Sequence, residues 1–338
     1  MVDSPGFIYK LYLKLCGKFH GKLYSKISYF GCYFVFIALW LVKKRNQIIL
    51  LPNSAIGDTL YILSFLDSME EWAKKNNLEI IFFLSNRYKD IFESFNKPSM
   101  KIRIRFLKHL GFVHVFLLMA ERCKDHSLLN RFSRNKKIFL PIPNVYKDNF
   151  VHISKPKGVR HQLAHILEIP LTPVSLHNLP AVPVKSIADF EKNKDKICVL
   201  NPYSYSMYTS LPLFEKLAEE LKKNGYIVYT NIVKGQKVIE GTFALDCDLR
   251  ELYSISKQIP LIVSLRSGIL DYLIPSGVNM FVVYNKWKVS FIQDEDYSLE
   301  EWQPKGFVYE AHSNSMSDDE IVQKIQKFLT QIKLEDQI

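Results

Sequence analysis

The chain has 338 residues, of which 48% are hydrophobic, so it can bury one large or two ordinary cores and is neither disordered nor fibrous. Its formal net charge of +11 is regional, because residues 1–46 hold eight lysines and arginines against one aspartate, and residues 101–137 hold ten against two acids. The five cysteines are scattered, with no C-x-x-C pair and no metal-ligand spacing, which favours a reducing, cytosolic setting.

The first 45 residues predict a membrane-associating segment. Lysines recur every four residues from Lys10 to Lys26 and stay on one broad face of a helix, opposite apolar side chains. Such a basic amphipathic helix lies on the surface of an anionic bilayer. The apolar run 29–42 is shorter than the roughly 20 residues needed to span, and positive residues flank it on both sides. We therefore predict peripheral attachment to the cytoplasmic face of the inner or plasma membrane, with a helix packed on the core as the alternative.

The stretch LLPNSAIGDTLY, residues 50–61, predicts a strand, a tight turn and a helix. The apolar run 47–51 is typical of a strand covered on both faces, and apolar residues recur at helical spacing from Thr59 to Met69. Asp58 falls in the first helical turn, after the carboxyl end of a strand, where open α/β sheets bind ligands. Its alternative role is to complement the helix dipole. Small or flexible residues before it would let another molecule approach the backbone: Asn53, Ser54, Ala55 and Gly57.

The rest of the chain alternates strands and helices, the pattern of a doubly wound parallel sheet. In the first half, a further strand is predicted near Ile80. A capping box of Ser317 and Glu320 opens the last predicted helix.

We predict two Rossmann-like domains that face each other across a cleft. In the second half, the predicted strands are 197–202, 226–232, 261–265 and 278–284, and the predicted helices are 213–224, 249–257, 268–276 and 318–332.

The stretch SLRSGILDY, residues 264–272, repeats the pattern of the first turn. A buried strand ends, Ser267 and Gly268 turn, and a helix begins beside Arg266. A diphosphate would fit there, because helix N–H groups and a guanidinium donate charge-assisted hydrogen bonds to phosphate oxygens. In the alternative, Arg266 pairs with Asp271 or with a surface acid.

These motifs resemble the ADP-heptose:lipopolysaccharide heptosyltransferase family, whose members are inverting glycosyltransferases of the GT-B fold. The resemblance rests on AIGDTLYILSFL (55–66) and on the strand, Ser-Gly turn and short apolar helix of the second half. GVRHQLAHILEIPLTP (158–173) is similar to the helix that ends the family's acceptor domain, and residues 199–228 are similar to the strand that opens its donor domain. The resemblance covers about residues 47–285.

The resemblance implies a role for each matching residue. Asp58 takes the role of general base, which accepts the proton of an acceptor hydroxyl. The remaining residues fall into two groups. The acceptor side is implied to contain Asn53, Ser54, Gly57, Arg160 and His161. The predicted donor side contains Asn201, Thr209, Arg266, Ser267, Gly268 and Asp271.

Two positions depart from the family's pattern. Thr209 stands where the family has a Lys shortly before Trp-Pro, and Arg266 begins Arg-Ser-Gly-Ile-Leu-Asp where the family has Asp-Ser-Gly-x-x-His. We predict that Arg266 takes over the phosphate contact of the absent Lys, and that Asp271 binds ribose or sugar hydroxyls. Heptose is therefore not assumed as the donor sugar.

Three other patterns are candidate sites. Asp246-Cys247-Asp248 and Asp294-Glu295-Asp296 have the spacing of a metal-binding DxD motif, but short acidic triplets are common on surfaces. His161 and His165 suit a metal pair on a helix, although no third ligand is recognisable, and surface or acceptor contacts are the favoured interpretation. The basic cluster 101–137 has no nucleic-acid-binding signature, so a phosphorylated glycolipid acceptor or the membrane explains it equally well.

The sequence thus predicts a metal-independent, inverting glycosyltransferase with a nucleotide-sugar substrate, no cofactor and no nucleic-acid partner. Its predicted acceptor is a membrane-linked glycan or glycolipid in surface polysaccharide or lipopolysaccharide biosynthesis. The alternative is a catalytically silent GT-B-like protein that binds a glycan or scaffolds an assembly. The predicted divisions are 1–45 for membrane association, 46–180 for the acceptor-side domain, 181–310 for the donor domain and 311–338 for a C-terminal helix.

Overall fold

The chain divides into two compact units, residues 1–175 and 176–338. The computed structural model describes residues 47–50, 56–93, 101–107, 138–139, 164, 181–204, 206–233, 235–288 and 294–335. The predicted membrane-associating segment, 1–45, lies outside these residues. Across the ranges just given, every helix is too short or too polar to cross a bilayer.

The first unit contains a parallel sheet in the strand order β3-β2-β1-β4. Its strands are β1 (Gln47–Leu50), β2 (Glu79–Ser85), β3 (Ile102–Leu107) and β4 (Ile138–Phe139). The helices of its described part are α1 (Ile56–Leu63), α2 (Leu66–Lys75) and α3 (Lys89–Phe92). Ile49 of β1 lies opposite Ile81 of β2 and Ile138 of β4, so β1 is central. The strands predicted at 47–51 and near Ile80 are therefore confirmed.

The helical periodicity from Thr59 to Met69 predicted one helix, but the structure has two, with Ser64 and Phe65 between them. In one straight helix, Leu63 and Phe65 would lie about 200° apart around the axis. The break allows both side chains to be fully buried. Burial of apolar area thus overrides the continuity of the helix at this point.

Part of the basic cluster 101–137 forms an edge strand that was not predicted. In β3 the side chains of Ile102 and Ile104 are buried, whereas Arg105 is exposed and Arg103 is partly exposed. The Nε of Arg103 lies 3.7 Å from Oε1 of Glu79 on the neighbouring strand β2. The alternation of apolar and basic residues is typical of a strand with one solvated face, so these charges have a structural explanation.

The second unit contains a six-stranded parallel sheet in the order β10-β9-β8-β5-β6-β7. Its strands are β5 (Ile197–Asn201), β6 (Ile227–Asn231), β7 (Phe243–Leu245), β8 (Leu261–Leu265), β9 (Asn279–Tyr284) and β10 (Val308–His312). The chain runs outward from β5 through β6 to β7, then returns to β8 on the other side of β5 and continues outward to β10. This is the doubly wound order of Rossmann sheets.

Four of the five helices described in the second unit agree closely with the predicted ones, and the short first helix has no predicted counterpart. The five are α4 (Phe190–Asn193), α5 (Leu211–Lys223), α6 (Leu249–Ser256), α7 (Gly268–Leu273) and α8 (Asp318–Glu335). Helix α5 ends before Gly225, whose φ of +87° is a conformation that glycine adopts without strain. The predicted capping box is confirmed, since the Ser317 amide donates to Glu320 and the Glu320 amide donates to the Ser317 hydroxyl.

Strands β7 and β10 were not predicted. β10 pairs with β9, and α8 packs beside them, with the rings of Phe281 and Phe328 5.8 Å apart. Residues 308–335 therefore complete the sheet and core of the second unit, whereas the sequence predicted a separate C-terminal helix. The core between the sheet and helices α5 and α8 includes Leu200, Phe214, Leu217, Leu221, Val263, Phe281, Ile325 and Phe328.

Candidate functional site

The second sheet places two predicted donor-side stretches next to each other. β5 and β8 are hydrogen-bonded neighbours, with Asn201 opposite Ser264. The chain leaves these two strands toward opposite sides of the sheet, so their carboxyl ends form the topological switch point, where open α/β sheets bind ligands. Asn201 ends β5, and Arg266 and Ser267 follow β8 directly.

Two buried polar atoms at this switch point have no hydrogen-bond partner within the described part of the chain: Nδ2 of Asn201 and Oγ of Ser267. The side chains are almost fully enclosed, with 2% of Asn201 and 9% of Ser267 exposed. Leaving a buried donor unsatisfied costs about 1–3 kcal/mol, so such groups call for an explanation. We call these two atoms the switch-point pair.

Neighbouring loops hold Asn201 in place. Its Oδ1 accepts a hydrogen bond of 2.8 Å from Nδ2 of Asn231 at the end of β6, so its own Nδ2 is the unused donor. The hydroxyl of Tyr203 donates to the carbonyl oxygen of Lys237 at 2.6 Å and accepts from the amide of the same residue at 3.0 Å. The loops that follow β5 and β6 are thereby tied together at the carboxyl end of the sheet.

Arg266 forms an ion pair with Asp271 inside the protein. Nη2 of Arg266 lies 2.6 Å from Oδ1 of Asp271, and both side chains are 2% exposed. Burial raises the pKa of Asp271, and the charge and hydrogen bond of Arg266 oppose that rise. The structure therefore supports the alternative in which Arg266 pairs with Asp271. The predicted contact of Arg266 with phosphate and that of Asp271 with ribose or sugar hydroxyls stay predictions. The burial of both side chains does not favour these contacts.

The remaining donors of Arg266 also bind protein atoms. Nε donates to the carbonyl oxygen of Tyr297 at 2.7 Å, and Nη1 donates to the carbonyl oxygen of Ser267 at 2.7 Å. The hydroxyl of Tyr284, at the end of β9, donates to the same Tyr297 carbonyl at 2.9 Å. Arg266 thus links the turn after β8 to the segment that contains Tyr297.

Thr209, which stands where the resembling family has a lysine, is half-buried in the loop that follows β5. This loop pairs with the segment after β9: the amide of Tyr208 donates to the carbonyl of Lys286 at 3.0 Å, and Met207 and Trp287 form an antiparallel bridge. Lys288 and Asn231 contact this carboxyl end and were not predicted. Asn231 ends β6, a predicted strand, and that position is the signal that could have identified it, whereas Lys288 reaches this region through the pairing of two loops.

In the first unit, Asp58 occupies the first turn of α1, as predicted, and Gly57 before it is buried. The order β3-β2-β1-β4 makes β1 and β4 the neighbours at this unit's switch point. The prediction that Asp58 is the general base stays a prediction. The other acceptor-side candidates lie outside the described residues: Asn53, Ser54, Arg160 and His161.

The two acidic triplets have structural roles. Oδ1 of Asp248 caps α6 by accepting from the amides of Arg250 and Glu251, both at 2.9 Å. Asp294 accepts from Nε1 of Trp287 at 2.6 Å and lies 2.8 Å from Nδ1 of His312. Within the described ranges, no group of three or more histidines, cysteines, aspartates and glutamates could hold a metal ion.

The two parallel sheets confirm the predicted α/β class. No protein-family model matches the sequence. No curated protein matches it either. Solved structures do match the fold.

The chain is similar to the glycosyl transferase family 9 structure from Veillonella parvula DSM 2008, with 13% identity over 85% of this chain and 98% of that chain and a TM-score of 0.53. It is also similar to E. coli heptosyltransferase WaaC with ADP, with 11% identity over 85% of this chain and 99% of that chain and a TM-score of 0.50. At these identities the similarity concerns the fold alone. At the level of the fold, it confirms the predicted resemblance to GT-B glycosyltransferases.

Proposed function

We propose that this protein is a glycosyltransferase that binds a nucleotide-sugar donor at the switch point of its second unit. The observation that carries the proposal is the switch-point pair: two buried, unsatisfied polar atoms lie where this sheet topology binds ligands. A donor hydroxyl or phosphate oxygen would satisfy both groups and remove the cost of burying them. The fold supports the same class, because its solved neighbours include a heptosyltransferase with ADP.

We further propose that Asp58 acts as the general base of an inverting transfer. The acceptor hydroxyl would lose its proton to the Asp58 carboxylate while its oxygen attacks the anomeric carbon, and the nucleoside diphosphate would leave with the electrons of the broken bond. The position of Asp58, in the first turn of the helix after β1, supports this role. The N-terminal partial charge of α1 favours the ionised carboxylate that a base requires.

The reaction is proposed to need no metal. The acidic triplets resemble metal sites in sequence, but Asp248 caps a helix, and Asp294 contacts Trp287 and His312. The cations that stabilise the leaving diphosphate would then come from the protein. Turnover that persists in excess EDTA would support this, and turnover restored only by a divalent ion would contradict it.

The acceptor is proposed to be a glycan or glycolipid at the cytoplasmic face of a membrane. The basic, amphipathic segment 1–45 supports this, since such segments bind anionic lipid surfaces. Deleting residues 1–45 should release the protein from vesicles that contain anionic lipid, and binding of the intact chain should weaken with salt. Attachment that salt does not affect would instead indicate deep insertion.

Release of nucleoside diphosphate from a panel of ADP-, UDP- and GDP-sugars tests the proposed function. We expect one nucleotide class to be released in the presence of a lipid-linked acceptor. The ADP-sugars come first, because ADP occupies the E. coli neighbour. Tight binding of a nucleotide sugar without any release would favour the catalytically silent alternative, and failure to bind any of them would overturn the proposal.

A further inference from the structure

A hydrogen bond between two side-chain amides joins the last residues of β5 and β6. Nδ2 of Asn231 donates to Oδ1 of Asn201 at 2.8 Å, which leaves Nδ2 of Asn201 as one atom of the switch-point pair. We propose that Asn231 is a positioning residue, which holds Asn201 as a hydrogen-bond donor to a phosphate oxygen of the nucleotide sugar. This inference rests on the proposed function and names the ligand atom that Asn201 binds.

The register of the sheet explains why these two amides meet. Leu200 lies opposite Thr230 in the parallel pair of β5 and β6. The next residue of each strand is an asparagine, so the two side chains lie on the same face of the sheet, on neighbouring strands. Asn201 is 2% exposed and Asn231 is half-buried. The position of the Asn201 amide is therefore determined by the core of the second unit.

The neighbour of Asn201 on its other side leaves the same atom available. Ser264 of β8 lies opposite Asn201, and its hydroxyl donates to the carbonyl oxygen of Leu265 at 2.7 Å. Neither of the two polar side chains that flank Asn201 on the sheet accepts a hydrogen bond from its Nδ2. What Asn201 can offer a ligand at the switch point is thus a donor.

A donor at this position suits a phosphate oxygen better than a hydroxyl group. Phosphate oxygens accept several hydrogen bonds and donate none, and hydrogen bonds to charged acceptors are the stronger ones. A ribose or sugar hydroxyl would accept from Nδ2 of Asn201, but it would need an acceptor for its own proton. The carboxylate of Asp271, after the turn that follows β8, is already bound to Arg266.

The role of Asn231 follows from the two ways in which a pair of amides can bond. In the observed arrangement Asn231 donates and Asn201 presents its nitrogen. In the reverse arrangement Asn201 would donate to Asn231 and present Oδ1, an acceptor that a phosphate oxygen cannot use. A residue at position 231 that can only accept would force this reverse arrangement, and the site would lose its donor.

The test is a calorimetric titration of the full chain and its variants with ADP, UDP and GDP. Asn231→Asp introduces a carboxylate that only accepts, so it should weaken binding of the preferred nucleoside diphosphate about 10- to 100-fold, the loss expected for a charge-assisted hydrogen bond. Binding of the corresponding nucleoside, which has no phosphate, should be unchanged. Asn279→Asp is the matched control, because Asn279 is half-buried at the opposite, amino end of the same sheet. It should leave the affinity near that of the parent.

A double-mutant cycle separates positioning from simple charge repulsion. Asn201→Leu alone should also weaken diphosphate binding about 10- to 100-fold. In the Asn201→Leu background, Asn231→Asp should then change the affinity by no more than about twofold, because it acts through the amide already removed. Losses that add in full would show that the new carboxylate repels the ligand directly, and would overturn this inference.

A second variant avoids the new charge. Asn231→Ala leaves the amide of Asn201 without its partner and should weaken diphosphate binding roughly 2- to 10-fold, the effect of a donor that is no longer held in place. Thermal unfolding without ligand checks that each variant is folded. Unchanged or increased diphosphate affinity in folded Asn231→Asp would overturn this inference and leave the proposed function intact. If the parent chain bound none of the three nucleotides, the proposed donor site would fall, and this inference with it.

Discussion

The two units arrange their first four strands in the same order but place different chemistry at the switch point. In the first unit β1 lies between β2 and β4, and in the second β5 lies between β6 and β8. The first switch point is followed by Asp58 in the first turn of α1, whereas the second contains the unsatisfied atoms of Asn201 and Ser267. The shared topology determines where a site forms, and the side chains there decide what it does.

This comparison assigns different functions to the two units under the proposed mechanism. The first would supply the base that activates the acceptor, and the second would bind the donor nucleotide. A variant at Asp58 should therefore change turnover without changing nucleotide affinity. Variants at the second switch point should change nucleotide affinity or the stability of the second unit. The predictions below separate these effects.

The largest expected effect is on catalysis. Asp58→Asn should lower turnover roughly 10²- to 10⁴-fold, because the amide cannot accept the acceptor's proton. Nucleoside diphosphate affinity, measured by calorimetry, should stay within about twofold of the parent, since a site confined to the second unit does not use this residue. Near-normal turnover would remove Asp58 from the mechanism, and a large loss of nucleotide affinity would break the division between the units.

The next effect is on stability. Arg266→Met should lower the free energy of unfolding by about 3–5 kcal/mol, because it leaves the buried carboxylate of Asp271 without its partner. Replacing both residues, Arg266→Met with Asp271→Leu, should recover much of that loss. Urea unfolding measures both variants.

A control for the ion pair is available on the surface of the same unit. Lys216 pairs with Asp319 at 2.8 Å, but both side chains are exposed, so Lys216→Met should change stability little. A folded and stable Arg266→Met variant that had lost most of its nucleotide affinity would restore the original prediction that Arg266 contacts phosphate.

A smaller effect is expected at Ser267, where affinity and stability should respond differently. Ser267→Ala should weaken nucleoside diphosphate binding roughly 2- to 10-fold, the worth of one neutral hydrogen bond. Stability without ligand should be unchanged or slightly higher, because the mutation removes a buried hydroxyl that has no partner. These are measured by calorimetry and by urea unfolding of the unliganded protein.

Ser264→Ala is the matched control for Ser267. Ser264 is also buried, but its hydroxyl donates to the carbonyl of Leu265 at 2.7 Å. Its loss should therefore lower stability and leave the affinity largely intact. If Ser267→Ala instead lowered stability and left the affinity unchanged, the hydroxyl would have a structural role, and the main support for the donor site would be removed.

The sequence predicted central strands better than edge strands. Every residue of β5 and β8 is buried, and continuous apolar runs such as LIVSL identify strands of this kind. The edge strand β3 alternates isoleucine and arginine, which was interpreted as part of a basic cluster, and β7 is short with two exposed residues. Edge strands are half-solvated, so their composition overlaps with that of polar surface segments.

The candidate site was predictable in position but not in its internal contacts. The carboxyl ends of β5 and β8 follow from strand order, so Asn201 and Ser267 could be named from the sequence. The predicted phosphate contact of Arg266 competes with pairing to Asp271, because an arginine and an aspartate five residues apart can pair or can both face a ligand, and the structure shows the ion pair. Lys288 could not be identified from spacing, since its approach to Ser204 depends on long-range pairing of two loops.

The smallest expected effect concerns where the second unit begins. Glu251 of α6 accepts hydrogen bonds from the amides of Lys185 and Ser186 and from the Ser186 hydroxyl. Burial raises the pKa of Glu251, but these hydrogen bonds lower it by more, so its pKa in the folded protein lies below the ordinary value of 4.5. A carboxylate with a depressed pKa stabilises the fold above its unfolded-state pKa, and this stabilisation is lost as the pH falls through the folded-state pKa.

Glu251→Gln should therefore lower the free energy of unfolding by about 1 kcal/mol at pH 7. The difference from the parent should shrink as the pH falls below 4.5. Glu219→Gln on the exposed face of α5 is the control and should change the free energy of unfolding little at pH 7. Urea unfolding at several pH values measures both variants, and a difference that stayed constant across this range would show that residues 185–186 are not held to the second unit by the charge of Glu251.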